Sequence, residues 1–97
     1  MPTYIVLVNF TEQGIRNVKQ TTERAKVLSG AASRLGIKIK ETYWTMGAYD
    51  AALIADAPDD DSITALALSA GSLGNIRTQT MRAYSADEMS KILSKLP

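Results

Sequence analysis

The stretch Thr3–Phe10, TYIVLVNF, is apolar on both of its alternating faces. Thr3, Ile5, Leu7 and Asn9 share one face, and Tyr4, Val6, Val8 and Phe10 share the other. A strand of this kind belongs inside a sheet that is shielded on two sides. A single chain of 97 residues is hard pressed to supply both shields. A domain of that length buries only about two-thirds of its unfolded surface. The question posed by this strand is therefore what covers its second face.

The remaining pattern limits the answers. Between residues 11 and 35 the apolar period changes to that of a helix, with Ile15, Val18, Thr22, Ala25, Ala32 and Leu35 in phase and Leu28 beside it. Gly14 and the Thr21-Thr22 pair weaken the front half. The expected form is a short first turn, a break near Thr21 and a firmer helix to Leu35, capped by Gly36. Ile37–Trp44 alternates as a strand with one wetter face, with Ile37, Ile39, Glu41 and Tyr43 on one side. Thr45–Ala48 reads as a turn, and Tyr49–Ala57 as the returning strand of a hairpin. Pro58 ends that strand, and Asp59, Asp60, Asp61 and Ser62 offer N-caps for a helix that stops at Gly71 and Gly74. Ile76–Tyr84 is a fourth strand. Ser85 with Glu88 forms a capping box for a last helix striped by Met89, Ile92, Leu93 and Leu96.

The order strand, helix, strand, strand, helix, strand, helix predicts an α+β fold. Its first six elements are the βαββαβ pattern of a ferredoxin-like sandwich, a four-stranded antiparallel sheet with both main helices on one face. Residues 1–97 make one domain with no internal repeat or linker. The other sheet face then carries Ala52 and Ile54, or Ala51, Leu53 and Ala55, beside one face of the first strand. An apolar patch that size marks an interface. A second copy of the chain is the simplest cover, most simply a two-fold homodimer. The alternative is the last helix folding back, although one short helix covers only part of a sheet.

The chain contains no cysteine and no histidine. That removes disulfides, thiolate nucleophiles, the commonest metal ligands and the usual general base near neutral pH. No metal and no cofactor is expected. The net charge of +1 gives no reason to expect a nucleic-acid partner. The third strand, YDAALIADA, also lacks the aromatics that stack on RNA bases. No apolar run approaches the ~20 residues of a membrane helix, and no signal peptide is evident, so the cytoplasm is the expected compartment.

The segments YIVLVNFTEQGIRNVK, ETYWTMGAYDAALIADAPDD and GSLGNIRTQTMRAYSADE resemble, in order and spacing, the GYD-domain family of small bacterial and archaeal proteins. The similarity spans nearly the whole chain. Here the signature reads Gly47-Ala48-Tyr49-Asp50, with Ala48 between the glycine and the tyrosine. The resemblance implies a dimeric α+β barrel, in which two ferredoxin-like sheets face one another, and it brings no assigned activity.

Candidate site residues fall in three places. Around Gly47, Tyr43 and Trp44 point to opposite faces, and so do Tyr49 and Asp50. Asp50 is a candidate base; against that stands a plain hairpin in which it bonds the turn backbone. On the fourth strand, Ile76, Thr78, Thr80, Arg82 and Tyr84 share a face. Arg82 either pairs with Asp50, Asp56 or Glu41, or holds an anionic ligand. Asn9 either orients a ligand or bonds the backbone at Thr11. Asn9, Tyr49, Thr78 and Arg82 are thus the candidate ligand-binding set, and Asp50 and Arg82 the candidate catalytic pair. GSLGN (71–75) reads as a helix cap and turn, since a phosphate loop precedes a helix rather than a strand. The favoured function is a homo-oligomeric module that binds a small metabolite or acts in assembly. The alternative is a cofactor-free monooxygenase, isomerase or decarboxylase working between sheet and helices; whether the chain is an enzyme stays open.

Overall fold

A computed structural model describes residues 1–97. The chain runs β1 (Thr3–Phe10), α1 (Glu12–Arg16), a 3₁₀ turn (Val18–Gln20), α2 (Thr21–Arg34), β2 (Lys38–Trp44), β3 (Ala51–Asp56), α3 (Asp60–Ser72), β4 (Ile76–Ala83) and α4 (Ala86–Leu93). The four strands form one antiparallel sheet in the order β2-β3-β1-β4, the ferredoxin-like arrangement. The doubly apolar β1 lies in the interior of the sheet, between β3 and β4. The helix expected over residues 11–35 does break before Thr21, through the 3₁₀ turn. Gly36 follows α2 with φ +72°, a left-handed conformation open to glycine.

Register assigns the faces. Tyr4, Val6 and Val8 of β1 and Ala51, Leu53 and Ala55 of β3 are buried beneath the helices. With Ala32, Ile37, Ala57, Ile63 and Leu66 they make an eleven-residue core. Four of the eleven are alanines, so the core is thin and gives each helix little to grip. The opposite face presents Ile5, Leu7 and Asn9 of β1, Ala52 and Ile54 of β3, and Gln79 and Met81 of β4.

Two expectations need correction. Ile15 is 54% exposed, and Gly14 beside it is the buried residue of α1. Gly14 is pressed against the carbonyl of Asn75, where no side chain fits, so the short helix turns Ile15 outwards. In β2, the register shifts between Ile39 and Glu41. Ile39 pairs with Ala55 on the helix side, whereas Glu41 pairs with Ile54 on the open side. The bulge leaves Lys40 unpaired in that ladder and breaks the simple alternation expected for Ile39 and Glu41.

Helix α4 does not fold back over the open face. None of its residues is buried, and Met89, Ile92, Leu93 and the following Leu96 remain 38–66% exposed. The chain is accordingly elongated, 51 × 31 × 19 Å, with one helix layer on one sheet.

Candidate functional site

A half-open cleft of about 230 Å³ lies between α2, α3 and the helix side of the sheet. Its floor is Val8, Phe10, Ala51, Leu53 and Ile76, and its helical walls include Leu28, Ala31 and Ala70. Small residues keep the gap open: Ala25 and Ala31 of α2 and Ala70 of α3 line it where larger side chains would fill it. Trp44, at the end of β2, forms one wall and donates from Nε1 to Thr21 Oγ1 at 3.0 Å, joining the strand to the start of α2. Arg24 is the one charged residue of the lining, and no Asp, Glu, Lys or Tyr contributes.

The sequence pointed elsewhere. The Asp50 side chain does not bond the turn. Its carboxylate accepts the Phe10 N–H at 2.8 Å, and its own N–H donates to Val8 O at 2.8 Å. Asp50 therefore extends the β1–β3 ladder past its last regular pair, Val8 with Ala51. The turn is closed instead by Thr45, whose N–H donates to Asp50 O at 2.9 Å and whose hydroxyl donates to Tyr49 O at 2.6 Å. Gly47, at φ +104°, makes that turn feasible.

Arg82 pairs with none of the three carboxylates expected. Its guanidinium lies 3.4 Å from Glu88, over the Tyr84 ring at 4.6 Å and near the Tyr4 ring at 5.7 Å. It also donates to Thr3 O at 3.2 Å and to Ala83 O. Glu88 is held for this contact by the capping box, in which it accepts the Ser85 N–H at 2.9 Å. That N–H, followed by smaller contributions that include Arg82, holds the Glu88 carboxyl below the usual carboxylate range. Of the other carboxylates proposed for Arg82, Asp56 accepts from Thr3 Oγ1 at 2.9 Å, and Glu41 accepts from Tyr43. The buried Tyr4 donates its hydroxyl to Asp60, next to the α3 N-cap Asp59. This bond, followed by burial, pushes the Tyr4 phenol up to about 12. Arg82 thus anchors α4 to the sheet beside the start of α3.

The four ligand-binding candidates are not brought together. Asn9 lies on the open face opposite Arg77. The backbone N–H groups next to it are taken, that of Phe10 by Asp50 and that of Thr11 by Asn75 O at 3.0 Å. Tyr49 reaches over the same face and donates to Gln79 Oε1 at 2.9 Å. Thr78 faces the helices, opposite Val8. Arg82 lies opposite Tyr4, four residues further along β4 and therefore roughly 13 Å away. Asp50 and Arg82 stand towards opposite ends of the sheet, about 17 Å apart along β1. The residue missed by reading the sequence is Arg24. Its signal was its place one and two turns before Leu28 and Ala31, a cation in an otherwise apolar stripe.

The pattern of the GYD domain matches residues 4–93, nearly the whole chain. The chain belongs to the GYD-domain family. This GYD domain is 30% identical over 84 residues to a Thermus thermophilus protein named glutamine synthetase and cystathionine beta-lyase binding protein. The match covers 86% of this chain and 88% of that one. Among solved structures, a crystallised protein from Thermus thermophilus superposes with a TM-score of 0.56 at 24% identity, over 89% of this chain and 96% of that one. An ACT domain protein from Streptococcus pneumoniae superposes at 0.51 with 16% identity, over 100% and 98%. At these identities the two structures speak for the fold alone.

Proposed function

We propose that this GYD domain is a non-catalytic module that self-associates and binds an enzyme partner. The observation that carries this reading is the uncovered open face of the sheet. Ile5, Leu7, Ala52, Ile54 and Met81 run side by side across the three strands β3, β1 and β4. Only 12 of the 97 residues are buried in the isolated chain, so apolar surface remains that a lone domain would normally cover. A second copy laid face to face supplies that cover, and two-fold symmetry makes one patch complementary to itself. The stripe on α4 is a second apolar surface, carried on a helix with no buried residue that is tied to the sheet through Arg82 and Glu88.

The partner class comes from the Thermus thermophilus relative, whose name assigns it glutamine synthetase and cystathionine beta-lyase. An enzyme of that kind is the partner proposed here. The enzymatic alternative would need an acid–base side chain at the cleft, and its candidate base, Asp50, is committed to a backbone N–H.

Light scattering across a concentration series tests self-association. The expected result is twice the chain mass of 10.5 kDa. Leu7→Arg, placed at the centre of the open face, should return the single-chain mass with an unchanged circular dichroism spectrum. A parent protein that stays monomeric throughout would refute the reading. For the partner, the purified glutamine synthetase and cystathionine beta-lyase of the same organism are titrated by interferometry. Failure to bind either at micromolar concentration removes that half of the proposal.

A further inference from the structure

The cleft on the helix side has the makings of a ligand site that is independent of the open face. We propose that it takes a small amphiphilic carboxylate. The apolar body lies against Leu28, Leu53 and Ile76, and the carboxylate meets Arg24. Volume sets the size of the guest. A cavity of about 150 Å³ lined by aliphatic side chains already accepts benzene. The present cleft, at about 230 Å³, has room for a ring with a substituent or a medium alkyl chain.

Charge sets the head group. Arg24 is half-buried and is the lining's one charged residue. Its guanidinium has five N–H donors, and its one hydrogen bond within the chain runs to Asn17 O at 2.8 Å. No carboxylate of the chain forms an ion pair with it. A planar, fork-shaped donor without an acid partner, at the edge of an apolar cleft, matches a carboxylate better than any neutral head group. Trp44 supplies an aromatic wall, fixed by its bond to Thr21.

Trp44 is the only tryptophan, so its fluorescence reports occupancy directly. Octanoate and 1-octanol share a chain and differ in the charge of the head. Titrated separately, octanoate should give saturable quenching with about tenfold tighter binding than octanol, the discrimination expected of one charge-assisted pair. Arg24→Met should erase that preference and leave octanol binding within about twofold of the parent, since the apolar walls are untouched. Ala70→Phe, which fills the cleft, should abolish the response to both, with methyl NMR shifts at Leu53 as a second readout. If Ala70→Phe does not fold, as judged by circular dichroism, the Arg24 comparison decides alone. The proposal is overturned by equal binding of octanoate and octanol, by a preference that survives Arg24→Met, by saturable binding in a folded Ala70→Phe protein, or by no response to either compound at millimolar concentration. Light scattering of the same samples separates this site from self-association, which uses the other side of the sheet.

Discussion

Two glycine-to-alanine substitutions should move stability in opposite directions, and the structure supplies both signs. Gly14 is the third residue of α1 and is buried. An added Cβ would sit 1.9 Å from the Asn75 carbonyl oxygen and 2.9 Å from its carbon. That carbonyl must retreat by about 1.5 Å to reach contact distance. Three hydrogen bonds converge there: Thr11 N–H to Asn75 O at 3.0 Å, Thr11 Oγ1 to Gly74 O at 2.5 Å, and Gly14 N–H to Thr11 Oγ1 at 3.1 Å. Losing them costs about 3 kcal/mol at roughly 1 kcal/mol each. The better helix propensity of alanine returns about 1 kcal/mol. Gly14→Ala should therefore lose about 2 kcal/mol, a fall in Tm of roughly 10 °C for a domain of this size. Gly30, in the body of α2, has open space around its would-be Cβ. Gly30→Ala should gain up to about 1 kcal/mol, or roughly 5 °C. Thermal and urea unfolding followed by circular dichroism, at matched protein concentration, measures both. A Gly14→Ala protein as stable as the parent would refute the packing of α1 against the β4 entry loop described above.

Other outcomes follow from the ionisable groups. The Tyr4 phenol is raised to about 12 in the folded chain, so its contribution is complete below pH 10 and is lost as pH rises through 12. Alkaline unfolding should set in across that window, and Tyr4→Phe should flatten it, as read by tyrosinate absorbance alongside circular dichroism. Glu88 shifts the other way: its contribution is present above the ordinary carboxylate pKa and is lost as pH falls through its lowered value. Acidification should therefore loosen α4 before the sheet. Arg82→Met should do the same at neutral pH, lowering amide protection over Ala86–Leu93 while β1 and β3 keep theirs. Equal loss of protection in the sheet would mean that Arg82 supports the core and not only the helix.

The order of elements was legible because β1, α2, β3 and α3 each carry an unmistakable apolar period. The break before Thr21 was legible from Gly14 and the paired threonines. What stayed hidden depends on partners distant in sequence. The bulge at Lys40 exists only relative to β3. Ile15 looked like a core residue until Asn75 claimed the space beside Gly14. Glu88 was recognisable as half of a capping box, yet its second role, holding Arg82, needed the angle at which α4 leaves β4. The cleft was invisible for a related reason. A gap is a property of two helices at once, and only Arg24, a cation in an apolar stripe, left a trace of it in the sequence.

The bulge has a further consequence for how the sheet fails. Its two borders are β2 and β4. The β2 border is kinked at Lys40, with Lys38 and Glu41 to either side, so a foreign strand finds both charge and a broken ladder there. The β4 border runs for eight residues from Ile76 to Ala83, pairing with β1 without a shift in register. It therefore offers an unkinked row of backbone donors and acceptors to an extended chain, up to Ala83, whose carbonyl already accepts from Arg82. Strand addition to the crowded or partly unfolded protein should therefore begin on the β4 side of the sheet.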